Sequence, residues 1–195
     1  MKKVILLFCI AILFLFCASS FAQVGLSIKG QGTYGILLKP DIQEAGFPNE
    51  KLTKGGFGFS GQVLYRAVGK IISLGVEAGY LRFFKDEYRI SGTKYKESLS
   101  AIPILGIIQL EAPTPLVSPY LQVGAGVYPL TAKLVVSGVT LKDTTTDFGI
   151  MAAAGVAITL APTLNLDVGG KFHMIFTEGE STIMLNPVVG ILIRF

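Results

Sequence analysis

The chain has no tryptophan, a single histidine and only two cysteines, Cys9 and Cys17, both near its start. If that start is removed on export, no disulfide or thiol chemistry remains. One imidazole without thiolates cannot build a transition-metal cluster, so the sequence predicts neither a metal nor any other cofactor. Charged residues make up only 15% of the chain. Beyond the N-terminal stretch, no apolar run approaches the ~18–20 residues of a helical membrane span. The 23 glycines, mostly set between apolar residues, also argue against helices. The formal charge of +4 includes Lys2 and Lys3, and without them it falls to about +2. Such a small excess gives no reason to expect a nucleic-acid partner.

What is present begins with a leader. Lys2 and Lys3 precede an unbroken apolar run from Val4 to Cys17, and Ser20-Phe21-Ala22 then offers small residues where a signal peptidase reads. The expectation is a cleaved signal peptide over residues 1–22 and one domain over residues 23–195. The run is short for a membrane anchor. Phe16 is too bulky for a lipoprotein signal at Cys17.

The domain is dominated by alternation with a period of two, the signature of strands with two unlike faces. Leu164, Leu166, Val168, Gly170, Phe172, Met174 and Phe176 oppose Asn165, Asp167, Gly169, Lys171, His173 and Ile175. Leu185, Pro187, Val189, Ile191, Ile193 and Phe195 oppose Asn186, Val188, Gly190, Leu192 and Arg194. The same holds for Ile28, Tyr34 and Ile36 against Ser27, Lys29, Gln31 and Thr33, for Phe57, Phe59 and Val63 against Ser60 and Gln62, and for Leu74, Val76 and Tyr80 against Ser73 and Glu77. Leu121, Val123 and Val127 oppose Gln122, Gly124 and Gly126, whereas 98–110 is apolar on both faces over much of its length.

Alternation alone fits either a soluble barrel, apolar inside, or a membrane barrel, apolar outside. Residues 147–160 help to decide between them. Their less apolar face is Asp147, Gly149, Met151, Ala153, Gly155, Ala157 and Thr159, too poor in charge to face water. Small residues directed into a narrow lumen fit better, since eight strands leave room only for side chains. The connections agree: 39–55, 85–97 and 130–146 are long, and 67–70, 111–118 and 161–163 are short, as outer loops and periplasmic turns should be. Ser91-Gly92 and Ser137-Gly138 are candidate hairpin tips. Tyr34, Phe57, Phe59, Tyr65, Phe83, Tyr128, Phe148, Phe176 and Phe195 are candidates for interfacial aromatic girdles. Pro103, Pro129 and Pro187 each remove a ladder donor and are expected at strand ends or bulges. The predicted fold is an all-β, eight-stranded antiparallel up-and-down transmembrane β-barrel.

Three stretches, Ile102-Pro103-Ile104-Leu105-Gly106, Pro119-Tyr120-Leu121-Gln122-Val123-Gly124-Ala125-Gly126-Val127 and Leu164-Asn165-Leu166-Asp167-Val168-Gly169-Gly170-Lys171, resemble the eight-stranded outer-membrane barrels typified by the OmpA transmembrane domain and its opacity-like relatives. The ending Val189-Gly190-Ile191-Leu192-Ile193-Arg194-Phe195 resembles the C-terminal aromatic signal read by the barrel-assembly machinery, with Phe195 as its key residue. The resemblance implies residence in the cell outer membrane, outer-membrane lipids and the assembly machinery as partners, and roles in adhesion, envelope integrity or small-solute passage. It carries over no catalytic residues.

The expected site is a polar network filling the lumen: Lys29, Glu77, Asp167, Lys171, His173 and Arg194. A charge in a narrow lumen is costly unless paired. The expected pairs are Glu77 with Lys29 or Lys171, and Asp167 with Arg194, plugging the barrel. His173 invites an enzymatic reading. However, Asp167 is six residues away, roughly 20 Å along a strand, too far to orient it. No G-x-S-x-G motif occurs, so no enzyme is expected. Glu178 and Glu180 are at most weak Ca²⁺ candidates. The leading expectation is a structural or surface-interaction protein, with any unknown surface ligand met by the outer loops. The alternatives are a narrow channel for small hydrophobic solutes and a secreted soluble barrel that binds an apolar ligand.

Overall fold

The computed structural model describes residues 25–39, 55–68, 71–83, 86–90, 93–136, 139–177 and 181–195. The expected leader, most of the segment 39–55, both candidate hairpin tips, Glu178 and Glu180 lie outside them. The described chain is built of ten strands: β1 (Leu26–Lys39), β2 (Gly55–Val68), β3 (Ile72–Phe83), β4 (Asp86–Ile90), β5 (Thr93–Ala101), β6 (Ile104–Glu111), β7 (Val117–Val136), β8 (Val139–Ala161), β9 (Leu164–Phe176) and β10 (Ser181–Arg194).

All pairings are antiparallel. β1 pairs with both β2 and β10, so the sheet closes on itself and has no edge in its ring. β5 and β6 occupy one ring position between β3 and β7, interrupted only at Ile102-Pro103. Among the described residues β4 pairs only with β5, above the outer end of β3. The ring is therefore eight strands around. The stretches 85–97 and 130–146, expected as loops, are largely strand. β7 and β8 stay in register from Val117↔Ile158 to Val136↔Val139, while β9 accompanies β8 only as far as Phe148↔Phe176. β4, β5, β7 and β8 thus continue as a sheet beyond the barrel at the end opposite the short turns.

The faces follow the alternation. Phe57, Phe59, Val63, Leu74, Val76, Ile104, Ile108, Leu121, Val123, Phe148, Val189 and Ile191 are all exposed on the outer wall, Phe59 as much as 65%. Ser27, Lys29, Gln31, Gln62, Ser73, Glu77, Gln109, Gln122, Asn165, Asp167, Lys171 and Asn186 are buried inside. A wall this apolar is unstable in water and suited to acyl chains, at roughly 25 cal/mol per Å² removed from water. The soluble-barrel alternative does not fit it.

Two girdle assignments are corrected. Tyr34, Phe57, Phe148 and Phe176 stand outward near the long-strand end, with Phe148 and Phe176 stacked at 6.2 Å, and Tyr65 stands outward near the short-turn end. Phe83 and Tyr128, however, are buried in the lumen. Phe83 shares the inward face of Ser73, Glu77 and Leu81, and Tyr128 that of Tyr120 and Gln122, so period two overrides their nearness to strand ends. The prolines also differ from expectation in part. Pro103 sits at the break between β5 and β6, and its carbonyl accepts the Gly79 N–H at 3.0 Å. Pro129 and Pro187 lie within continuous strands. Beside Pro187 the β1–β10 ladder skips from Thr33↔Val188 to Ile36↔Leu185, and the Thr33 hydroxyl donates to the Pro187 carbonyl at 3.1 Å.

Candidate functional site: the filled lumen

The interior has two storeys. Leu81, Phe83, Ala101, Leu105, Ile107, Tyr128, Met151, Ala153, Ile175 and Met184 form one buried apolar cluster that lies mostly towards the long-strand end, with Leu64 of the same cluster reaching towards the short turns and Leu37, Leu99 and Leu130 packed against it. Nothing in their hydrophobicity separates these residues from lipid-facing ones, and the sequence reading missed them as a unit. Their period-two position was the available signal. They share faces with Glu77, Gln109, Gln122, Lys171 and Asn186. The lumen-facing glycines make room for the larger rings. A Cβ on Gly155 would meet the Tyr120 hydroxyl at 2.5 Å and its ring at 2.7 Å, and one on Gly149 would meet the Tyr128 ring at 2.7 Å. Both tyrosines, from β7, lean across β8 through these slots.

Towards the short-turn end the filling is ionic. Lys171 Nζ meets Glu77 Oε1 at 2.5 Å and donates to Ser60 Oγ at 3.0 Å. Lys29 Nζ meets Asp167 Oδ1 at 3.1 Å and lies 4.1 Å from the centre of the Tyr120 ring. Arg194 Nη2 meets Glu111 Oε1 at 2.5 Å. Lys29 and Asp167 are wholly buried, at 0% exposure.

Glutamines tie the three pairs into one chain of contacts. Gln62 Nε2 donates to Glu77 Oε2 at 2.7 Å and to Gln31 Oε1 at 3.3 Å. Gln31 Nε2 donates to Asp167 Oδ2 at 2.5 Å. Lys29 Nζ approaches Gln109 Oε1 at 3.5 Å, and Gln109 Nε2 donates to Glu111 Oε2 at 3.1 Å. Gln122 Nε2 donates to Gln62 Oε1 at 3.1 Å, and its own Oε1 lies 3.3 Å from Gln62 Nε2. Within these three pairs three cations face three carboxylates, so the pairs together are neutral, and the amides satisfy oxygens that the ammonium groups leave open.

The structure brings Glu77 to Lys171 and leaves Lys29 to Asp167. It does not bring Asp167 to Arg194. Asp167 stands opposite Gly190, four residues along β10 from Arg194. Arg194 instead stands opposite Ser27 and reaches across the mouth to Glu111. Counting positions along single strands ignores the shear of a closed sheet, and that offset is what moves the partners. Glu111, expected within a turn, is the last residue of β6 and is buried. His173 stands apart from the ionic chain. Its Nδ1 lies 2.9 Å from the Tyr128 hydroxyl, with the rings edge to face at 5.9 Å, where the polar storey meets the apolar one. Phe195 donates its backbone N–H to the Leu26 carbonyl at 2.9 Å, fastening the end of the chain to the start of β1.

Comparison with known proteins agrees with this architecture. The chain aligns by fold with Neisserial surface protein A (17% identity, 87% of this chain and 97% of that one, TM-score 0.56). It also aligns with Ail, the attachment invasion locus protein of Yersinia pestis, in a complex with the heparin analogue sucrose octasulfate (16% identity, 88% of this chain and 99% of that one, TM-score 0.57). No curated protein sequence matches. At these identities the structural likeness concerns the fold. The family of the outer membrane protein beta-barrel domain matches residues 8–186. With a closed eight-position ring, an apolar wall and a filled polar interior, this chain belongs to the outer membrane protein beta-barrel domain family and resides in the cell outer membrane.

Proposed function

We propose that the protein is a closed, non-catalytic barrel with a structural or surface-interaction role, and not a conduit. The observation that carries this reading is the two-storey lumen. A solute would have to pass both a packed apolar cluster and a neutral ion-pair chain. Eight strands enclose little more than their own side chains, and the described cavity among Thr33, Ser60, Glu77, Lys171, His173 and Asn186 has a volume of about 10 Å³, roughly one water molecule. The non-catalytic reading draws on His173, whose partner is a tyrosine buried in the lumen. Acyl transfer or hydrolysis needs a nucleophile beside the imidazole and access for substrate.

The sheet of β4, β5, β7 and β8 beyond the ring is the platform for any external contact, and Thr131 and Thr144 pair their hydroxyls across it at 3.3 Å. Residues 1–22 act as a cleaved leader, and Phe195, with the last strand, as the signal for the assembly machinery. Proteoliposome swelling tests the closed state. With small sugars and amino acids outside, vesicles containing the folded protein should swell no faster than empty ones. Rapid swelling would support the channel alternative.

A further inference from the structure

At the short-turn mouth of the lumen the charges do not balance. Glu111 is buried, and both its oxygens are occupied, Oε1 by Arg194 and Oε2 by Gln109. Arg66, half-buried near the end of β2, lies on the inward face of that strand with Ser60, Gln62 and Leu64. Arg194 and Glu111 both lie within charge–charge range of it. Among the described residues its guanidinium nevertheless makes no hydrogen bond or ion pair. The Nε of Arg194 is buried and lacks an acceptor as well.

The backbone explains how two guanidiniums come to one place. Arg66 donates its N–H to the Gly25 carbonyl at 2.9 Å, and Arg194 stands opposite Ser27, so they enter the mouth from the two sides of β1. Two cations share one carboxylate that has no free oxygen. Buried donors in native proteins are nearly always satisfied, and an unmatched one points to a group that completes it. The guanidinium fork suits a planar or tetrahedral oxyanion.

We propose that the short-turn mouth is an oxyanion site, in which Arg66 and the Nε edge of Arg194 bind one phosphate- or carboxylate-type group. Arg66 and Arg194 against Glu111 leave one positive charge, which a monoanion neutralises. Tyr65, next to Arg66 and exposed on the outer wall, marks the level of the membrane interface. The anion has two sources at that height: free phosphate in the periplasm, or the phosphodiester of a phospholipid at the rim.

The test uses the refolded full barrel in uncharged detergent micelles, titrated with inorganic phosphate while sodium chloride holds ionic strength constant. Binding is read from ³¹P line broadening and from the thermal midpoint. A second arm omits phosphate and dopes the micelles with phosphatidylglycerol. The wild type should bind at least one probe, and Arg66→Gln should bind it about tenfold more weakly or not at all. Binding in the first arm assigns the site to free anions, and binding in the second arm alone assigns it to a headgroup. Arg66→Lys keeps the charge but loses the fork, so it should bind more weakly than wild type and serves if Arg66→Gln does not fold. Binding of neither probe, or unchanged binding by the Arg66 variants, would overturn the proposal.

Discussion

The two storeys of the lumen fill the same cylinder by opposite means. The outer one, around Leu81, Tyr128, Met151, Ile175 and Met184, is packed as the core of a soluble protein is. The inner one, around Lys29, Glu77, Asp167 and Lys171, is held by charge and amide hydrogen bonds. The difference lies in how each tolerates damage. An apolar cluster loses contacts in proportion to the atoms removed. A buried ion pair is at most break-even while intact, but removing one member strands the other without solvent. The inner storey should therefore be the more fragile to single substitutions, although it contributes less net stability when whole.

The sharpest way to break that contrast is Glu77→Ala. It leaves Lys171 buried without a carboxylate and should cost about 3–5 kcal/mol in urea unfolding from lipid vesicles. The double variant Glu77→Gln with Lys171→Met should recover most of that loss, because no charge is left stranded. A double variant as unstable as the single would mean that the pair matters for something other than its charge. In the outer storey, Ile175→Ala should cost about 2–4 kcal/mol, the value depending on how far Met151 and Met184 close the gap. Gly155→Val tests the slot for Tyr120. The added side chain must push the ring off Lys29, at about 1–3 kcal/mol. Smallest is Tyr128→Phe at the boundary between the storeys, about 0.5–1.5 kcal/mol for the lost bond to His173.

Much of the fold was legible because a strand alternates strictly. Once one face of Leu164–Phe176 or of residues 71–84 is identified, every side chain on it is placed. The closed ring needed little more. The apolar storey was not legible for a physical reason: Leu105, Ile107 and Met184 are as hydrophobic as residues that meet lipid, and composition does not distinguish acyl chains from packed neighbours. Residues 98–110 looked ambiguous because both of their faces are apolar, Ile104 and Ile108 outward, Leu105 and Ile107 inward. The same limit misplaced Phe83 and Tyr128. Within the polar storey the members were visible but their partners were not. Pairing depends on shear, which no single strand encodes, so Asp167 was matched to Arg194 when Lys29 is its neighbour. Gln31, Gln62 and Gln122 were visible on polar faces, but uncharged amides gave no reason to read them as the links between pairs.

The idea that the barrel is shut twice can be tested by single-channel current in planar bilayers across four proteins: wild type, Glu77→Ala, Ile175→Ala and the two substitutions combined. The wild type and both single variants should be silent, because either storey alone blocks the path, with openings confined to the combined variant. Steady conductance in the wild type, or in Glu77→Ala alone with the apolar cluster untouched, would contradict it.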